Sequence, residues 1–347
     1  MAIALRFSAV LLLALVPFSI RTSAQQNIPA GESHDKVYLD VVVTPRSGPP
    51  VAGLQQQDFT VLDNKSPRPV TSFHALGGSQ PPIEVVLVVD AVNISYEKLA
   101  YARAEIDKFL RANEGRLAHP MTLAIFTDAG TQIQEGSSSD GNALSSDLEK
   151  YVTGLRTIRR STGIYGADER FQLSLTALHQ LAEREAARPG RKIILWVSPG
   201  WPLLSGPNIQ LSPKQQQQIF GDIVNLSTEL RQAHVTLYSV DPLGTDESLQ
   251  RNFYYESFLK GVSKPSQVNI GDLALQVIAT QTGGLALSSS NDVSALLQRS
   301  MADTNAYYEL SFDPPPAEQR NEYHHVEVHV AKPGLSARAL QGYYAEP

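Results

Sequence analysis

The hydrophobic pattern changes twice along the chain. Three short β-branched segments without a helical period come first, at residues 37–45, 58–63 and 68–76, with turn residues between them. Residues 83–303 instead combine unbroken apolar runs with segments whose apolar residues recur every three or four positions. Short β-type segments return after residue 303. The pattern predicts β structure at both ends of the chain and alternating β and α structure between them.

The central region has the order of an α/β domain. Residues 83–89 and 192–198 contain the unbroken apolar runs 85–89 and 193–197, which are typical of strands buried on both faces of a parallel sheet. Further strands are predicted at 122–128, 131–134, 234–241 and 285–289. Amphipathic helices are predicted at 95–111, 144–155, 167–187, 214–233, 270–282 and 292–302. This alternation predicts a doubly wound, mainly parallel sheet with helices on both faces.

The terminal strands predict a second structural unit. The tail contributes strands at 307–313, 324–331 and 337–345. Three strands at each end cannot easily bury a core alone, whereas six together make a small sandwich. We therefore expect the α/β domain, residues 81–303, to be inserted in a small β-sandwich formed by residues 35–80 and 304–346. Two independent half-sheets are the alternative.

Residues 1–24 have the layout of a secretory signal peptide. Arg6 precedes an apolar run at 7–20, and a small residue, Ala24, ends the segment. This predicts cleavage after Ala24 and a secreted or periplasmic protein. An uncleaved membrane anchor is the alternative, but the run is shorter than the roughly 20 residues of a span and contains Pro17. We expect no stable membrane insertion after cleavage.

The composition narrows the function classes. The formal net charge is −6, and the predicted signal peptide carries two of the basic residues, so the mature chain is more acidic still. An acidic chain has no general attraction to nucleic acid, and we predict none as a partner. Cysteine is absent, which excludes disulfides, thiolate metal sites and cysteine nucleophiles. The 42% of hydrophobic residues is ample for packed cores.

Candidate chemistry is expected at the carboxyl ends of the central strands, where open α/β sheets bind ligands. Asp90 ends the first apolar run, and Ser198 ends the second. No Walker A loop or G-x-G-x-x-G motif follows the first strand, and no G-x-S-x-G or H-E-x-x-H motif is present. We therefore predict that the protein is not an enzyme. An uncharacterised hydrolase is the least favoured alternative.

The order of segments resembles a von Willebrand factor A domain, and its surroundings resemble the secreted bacterial VWFA-related family. The resemblance covers nearly the whole mature chain. It rests on Val51-Ala-Gly-Leu54, residues 58–63, Val70-Thr-Ser-Phe73, the strand ending in Asp90, Thr162-Gly-Ile-Tyr165 and the closing Gly342-Tyr343.

The resemblance implies a divalent-cation site in altered form. A domains usually bind Mg²⁺ or Mn²⁺ through an Asp-x-Ser-x-Ser loop, a Thr and a second Asp, all of which are oxygen ligands. Asp90 and Thr162 match two of these positions, whereas Val92, Ile94 and Pro199 replace the other three. We therefore expect a degenerate metal site and no cofactor.

Two alternatives at this loop remain open. In the first, Mg²⁺ or Mn²⁺ binds in a shifted register through Asn93, Ser95 and Ser198, which lie one position from the expected ligands. In the second, no metal binds: Asp90 accepts hydrogen bonds from loop amides, and Ser95 caps the following helix.

The same edge is the candidate partner surface. We expect residues 90–96, 160–165 and 198–206 to face a protein partner through Asn93, Tyr96, Tyr165 and Trp201. For Trp201, packing its own loop is as plausible as an exposed contact. Residues 252–259, in a long connection, are a second candidate surface. His325, Glu327 and His329 share a strand face, which allows a surface metal site or an ordinary solvated face.

The sequence therefore predicts a secreted, non-enzymatic interaction or adhesion module that binds a protein through the loop edge of its α/β domain. A structural scaffold or spacer without ligand binding at that edge is the main alternative.

Overall fold

The computed structural model describes residues 36–77, 83–153, 163–202, 210–244, 254–288 and 290–347. The predicted signal peptide lies outside these residues. Among the helices that the structure describes, none combines the length and the apolar composition that a membrane crossing requires.

The strands are β1 (Val37–Pro45), β2 (Phe59–Asp63), β3 (Ser66–Arg68), β4 (Ser72–Gly77), β5 (Glu84–Asp90), β6 (Arg116–Thr127), β7 (Gly130–Ile133), β8 (Ser138–Asp140), β9 (Lys192–Val197), β10 (Val235–Val240), β11 (Ala286–Leu287), β12 (Ala306–Phe312), β13 (Glu322–Val330), β14 (Leu335–Arg338) and β15 (Gly342–Ala345). The α-helices are α1 (Tyr96–Arg111), α2 (Gly141–Thr153), α3 (Gly163–Ala186), α4 (Pro213–Gln232), α5 (Leu275–Gln281) and α6 (Val293–Ala302).

The central strands form one mixed sheet, in the order β11-β10-β9-β5-β6-β7, with β8 also paired to β6. The pairs from β11 to β6 are parallel, and β7 and β8 pair with β6 in antiparallel fashion. Every residue of β9 is buried, as its apolar run predicts, and every residue of β10 is buried as well. The predicted α/β class is confirmed.

Helices cover both faces of this sheet. One hydrophobic cluster joins α3, α4 and α5 to the face that carries Val86, Val88 and Trp196. A second joins α1, α2 and α6 to the face that carries Val85, Leu87 and Val89. Odd and even residues of β5 thus belong to different cores, because side chains alternate across a strand.

The terminal strands form two four-stranded sheets, in the orders β14-β1-β12-β4 and β15-β13-β2-β3. Each contains strands from both ends of the chain. A third hydrophobic cluster takes residues from both sheets, including Leu39 and Leu310 from the first and Val61 and Val326 from the second. On the opposite face of the first sheet, Val42 and Tyr307 belong to a core of the α/β layer.

Two predicted strands are divided in the structure. Residues 68–76 were expected to be continuous, but the ladder stops after Arg68, next to Pro69, which has no N–H to donate, and resumes at β4. The segment 337–345 is two strands in different sheets, because β14 pairs with β1 and β15 pairs with β13. Residues 270–273 form a 3-10 turn rather than the first turn of the predicted α-helix.

Candidate functional site

The site lies where the strand order of the central sheet reverses direction. The chain continues from β5 to β6 on one side, and β9 lies on the other, so the carboxyl ends of β5 and β9 flank a topological switch point. Asp90 is the last residue of β5, and Ser198 follows β9. The Ser198 hydroxyl donates to Asp90 Oδ2 over 2.7 Å. Ligands of open α/β sheets bind at such a position, so these side chains decide what the edge can hold.

Five donors surround the Asp90 carboxylate. Oδ1 accepts the backbone N–H groups of Val92 and Asn93, each at 2.9 Å. Oδ2 accepts Asn93 Nδ2 at 2.8 Å, the Ser198 hydroxyl at 2.7 Å and the Trp196 indole N–H at 3.2 Å. A carboxylate offers about four lone-pair positions, so both oxygens are fully engaged. Protein groups thus occupy the acceptor sites that a cation would need.

Burial sets the electrostatics of Asp90. The residue is 0% exposed. Desolvation raises the pKa of Asp90, and the hydrogen bonds from Asn93, Ser198 and Trp196 oppose that rise. The side chains at the two serine positions of the A-domain pattern, Val92 and Ile94, are also buried. The arrangement is a closed polar cluster with an apolar lining, which suits a structural carboxylate.

Asn93 fastens the loop to helix α3. Its Nδ2 group donates to the Ser174 hydroxyl over 2.9 Å as well as to Asp90. Its Oδ1 atom is buried and has no hydrogen-bond partner among the described residues. Asn93 is half-buried, so its amide donors serve the interior of the domain rather than an open surface.

The shifted-register ligand set is brought together only in part. Asp90, Asn93 and Ser198 meet, but the latter two act as donors to Asp90. Ser95 is exposed and caps α1, where its hydroxyl accepts the Lys98 N–H over 3.4 Å. Thr162 lies outside the described residues.

Trp201 lies inside the domain. It is 5% exposed, and its ring packs edge-on against Trp196 and Phe171, with centroid separations of 5.6 and 6.4 Å. Its indole N–H is buried without a partner among the described residues. The expectation of an exposed contact at Trp201 is therefore corrected, because the residue packs its loop onto the core.

Two exposed tyrosines lie at the same edge. Tyr96 opens α1 and is 64% exposed, and Tyr165, in the first turn of α3, is 91% exposed. Both helices begin at the carboxyl edge of the sheet, since α1 leaves β5 and α3 leads back toward β9. Ser174 contacts the Asp90 loop nine residues after Tyr165. At about 1.5 Å per residue, Tyr165 stands roughly 13 Å further along the helix axis.

Trp196 and Ser174 contribute to the cluster and were not among the candidates. Trp196 lies within the predicted buried strand 192–198, and strand alternation places it on the same face as Ser198, two residues later. That alternation could have identified the indole N–H as a donor. Ser174 lies within a long helix, and no feature of the sequence identifies it.

The two outward-facing histidines of β13 lie around one carboxylate. Glu327 contacts both His325 and His329, at 3.5 and 3.2 Å. Within the described ranges, no group of three histidine, aspartate or glutamate side chains is arranged to hold a metal ion.

The second candidate surface, residues 252–259, is described from Tyr254 onward. Tyr254 is 43% exposed and packs against Phe258 with 5.1 Å between ring centroids.

No protein-family model matches the chain, and no curated protein matches it either. Similar solved structures include proximal thread matrix protein 1 from the mussel byssus, at 13% identity and a TM-score of 0.34, with 66% of this chain and 49% of that one covered. Manganese-loaded TRAP protein from Plasmodium vivax has 11% identity and a TM-score of 0.32, with 79% and 98% covered. The pilus adhesin SpaC from Lactobacillus rhamnosus GG has 9% identity and a TM-score of 0.36, with 85% and 49% covered. The chain thus spans about half the length of the mussel protein and of the pilus adhesin. Likenesses of this size do not identify a family.

Proposed function

We propose that the chain is an exported, non-enzymatic interaction module that binds a protein partner through the edge formed by the starts of α1 and α3. The observation that carries this proposal is the engagement of Asp90 by five donors. An A-type edge that recruits an acidic residue through a cation needs a free carboxylate, and here the carboxylate is committed to the protein. Binding at this edge would therefore depend on side chains and not on a metal.

The exposed tyrosines supply such side chains. Tyr96 and Tyr165 are two of the four large hydrophobic residues that are exposed among the described residues. Tyrosine is enriched at the energetic centres of interfaces because it buries a large ring and keeps a polar hydroxyl. The closed polar cluster beneath them holds the loop and α3 together through the Asn93–Ser174 bond. A rigid base of this kind lowers the entropic cost of presenting the two rings.

The architecture and the location belong to the same proposal. We infer that the two terminal sheets are the halves of one small β-sandwich, since they share a hydrophobic cluster, and that the von Willebrand A-like domain is its insertion. We also infer export, with signal cleavage after Ala24, from the layout of residues 1–24. Without cysteine, stability outside the cytoplasm would depend on packing alone.

Site-specific photo-crosslinking in the producing cell tests the edge. A benzophenone amino acid replaces Tyr96 or Tyr165 in the full chain, and the adducts are identified by mass spectrometry. The proposal expects one common adduct from both positions. Tyr101, on the same helix as Tyr96 and 42% exposed, is the matched control and should give no such adduct.

A second variant separates contact from mere proximity. The adduct formed from position 165 should be lost when Tyr96→Ala is also present, because both rings would serve one interface. Absence of any adduct at both positions would overturn the proposal and favour a scaffold or spacer.

A further inference from the structure

A small cavity lies between the second halves of α4 and α5. Its walls also include the 3-10 turn before α5 and one residue of the connection between β14 and β15. Most of the lining is apolar, and it consists of Ile223, Leu226, Leu230, Leu273, Ile278 and Leu340. One carboxyl group, that of Asp272, lies among these side chains. An apolar cavity with a few polar groups is the usual form of a small-molecule site.

The Asp272 carboxyl group is buried with one oxygen unused. Asp272 is 5% exposed. Its Oδ2 atom accepts the backbone N–H of Asn269 over 2.7 Å. Its Oδ1 atom accepts no hydrogen bond from the part of the chain that the structure describes. Buried carboxylates are normally paired with a cation or surrounded by donors, so this one has an unmet demand.

No lysine, arginine or histidine among the described residues compensates this charge. Burial raises the pKa of Asp272 to about 6, and only the N–H of Asn269 opposes the rise. The side chains that α4 and α5 contribute to the cavity are uncharged. Burial, Tyr323 and Asp272 raise the pKa of Tyr344 on β15, so this phenol stays neutral near pH 7. The ionised form of Asp272 therefore has no counter-charge in the described structure.

Two further acceptors line the cavity. Ser227 on α4 contributes a hydroxyl group, and Gln281 on α5 contributes a side-chain amide. The hydroxyl of Thr282 is already engaged, because it accepts a backbone N–H over 3.0 Å and donates to a backbone carbonyl over 2.9 Å. The cavity thus offers three acceptor atoms, namely Asp272 Oδ1, Ser227 Oγ and Gln281 Oε1.

The size of the cavity restricts the cation that it can hold. Its volume is about 20 Å³, which is enough for one water-sized group. Ser227, Gln281 and Leu340 are half-buried, so the cavity leads from the surface to the buried carboxyl group. An ammonium group has the size of water, whereas a planar guanidinium is too large. Metal ions such as Ca²⁺ and Mg²⁺ take six or more oxygen ligands, more than this lining supplies.

We propose that this cavity binds a primary alkylammonium ion, with its charged head at Asp272 and its aliphatic chain leading past Leu340 to the surface. The three N–H donors of the head match the three acceptors of the lining. The head supplies the missing positive charge, and charge-assisted hydrogen bonds are strong in such surroundings. The apolar walls favour the aliphatic chain over a hydrated inorganic cation. The cavity is separate from the tyrosine edge and does not depend on the function proposed for that edge.

Butylammonium ion provides the probe. Its chloride salt is titrated into the ¹⁵N-labelled full chain at pH 7.5 and constant ionic strength, and binding is followed by the chemical shifts of backbone amides. Saturable binding with a Kd on the order of 1 mM is expected, with the largest shifts at residues 223–230 and 270–282. Butan-1-ol has the same chain without the charge, and tetramethylammonium has the charge without an N–H donor. Each should bind roughly tenfold more weakly or less. No saturable binding of butylammonium, or equal binding of butan-1-ol, overturns the proposal.

Two variants locate the probe. Asp272→Asn keeps the size of the side chain and an oxygen for the N–H of Asn269, but it removes the charge. Its affinity for butylammonium should fall roughly tenfold or more. Asp222→Asn is the matched control, since Asp222 is a half-buried carboxyl group on α4 that does not line the cavity, and burial raises its pKa as well. Its affinity should equal that of the wild type. Equal loss of affinity in both variants contradicts the assignment.

A filled cavity keeps the test decisive if Asp272→Asn does not fold. Ser227→Leu places a larger apolar side chain in the cavity and leaves the carboxyl group in place, so binding should be lost. Thr228→Leu is its matched control, since Thr228 is also half-buried on α4 but does not line the cavity. Unchanged binding in Ser227→Leu overturns the proposal.

Proton competition gives an independent readout on the wild-type chain. A carboxyl group with a pKa of about 6 is mostly protonated at pH 5, so the affinity for butylammonium should be roughly tenfold lower at pH 5 than at pH 7.5. Asp222→Asn should show the same pH dependence. An affinity that does not change with pH overturns the proposal.

Discussion

Asn93 holds Asp90 with two hydrogen bonds, one from its backbone N–H at 2.9 Å and one from its side-chain amide at 2.8 Å. The same amide nitrogen reaches Ser174 on α3. One asparagine therefore donates two hydrogen bonds to a buried carboxylate and ties its own loop to helix α3. The carboxylate at the switch point therefore holds the β5–α1 loop through protein hydrogen bonds.

Asp90→Ala should lower the free energy of unfolding by about 3 kcal/mol. The substitution leaves the indole N–H of Trp196 and the hydroxyl of Ser198 buried without their acceptor, and buried hydrogen bonds to charged groups contribute about 1.5–3 kcal/mol. Urea denaturation followed by circular dichroism measures the loss. Asp128→Ala, at the end of β6 on the same edge but exposed, should change stability by no more than about 0.5 kcal/mol. Equal effects of the two substitutions would contradict the structural role of Asp90.

Asn93→Asp should convert the closed cluster into a site that responds to divalent cations. The second carboxylate replaces a donor and repels Asp90, so the variant should lose roughly 2 kcal/mol of stability in a chelator. Mn²⁺ should restore part of that loss by supplying positive charge to paired oxygens. Thermal unfolding with and without Mn²⁺ measures the response. The wild-type chain is the control, and a comparable Mn²⁺ shift in it would show that Asp90 is accessible to metal.

Trp201 stabilises the core through its ring and not through its N–H. Trp201→Phe should cost less than about 1.5 kcal/mol, because it keeps an aromatic ring against Trp196 and removes an N–H that has no partner. Trp201→Ala should cost about 3–5 kcal/mol, as large aromatic deletions in cores do. Chemical denaturation of the two variants gives the comparison. Equal and small losses would mean that the ring leaves the core in solution.

Tyr165→Ser should leave stability unchanged within about 0.5 kcal/mol, since the ring is 91% exposed. The same substitution should reduce crosslinking of the partner at position 96. The combination distinguishes a recognition residue from a structural one. A loss of stability as large as that of Trp201→Ala would show that Tyr165 packs against the protein.

The order of elements in the central sheet could be predicted because its strands are marked by composition. Continuous apolar runs such as 85–89 and 193–197 favour a sheet covered on both faces. The split of 337–345 could not be predicted, because it depends on which strand each half meets. β15 pairs with β13, which is close in sequence, whereas β14 pairs with β1 at the other end of the described chain.

The position of Asp90 at a strand end and its hydrogen bonds from loop amides could be predicted, whereas its side-chain donors could not. The end of an apolar strand identifies Asp90, and helix-start chemistry identifies Ser95 as a cap. Whether Trp201 faces solvent depends on how its loop folds back onto Trp196, which the residue types around it do not determine. The donors from Asn93 and Trp196 come from a loop and a neighbouring strand, so their convergence on one carboxylate requires the fold itself.

Asp272 should make the stability of the chain depend on pH. Burial raises the pKa of Asp272 to about 6, against the ordinary value of 3.8, while one backbone N–H from Asn269 opposes the rise. Because the folded-state pKa is the higher one, the contribution of this group to stability is full below about pH 4 and is lost as the pH rises through 6. In the wild-type chain this group should lower the free energy of unfolding by about 2 kcal/mol between pH 4 and pH 7.5. Asp272→Asn should remove that decrease, which urea denaturation at each pH measures. Asp292→Asn is the control of opposite sign, since the backbone N–H of Ala295 lowers the pKa of Asp292 and its contribution is lost as the pH falls. A pH profile that Asp272→Asn leaves unchanged would show that the carboxyl is solvated in the folded protein.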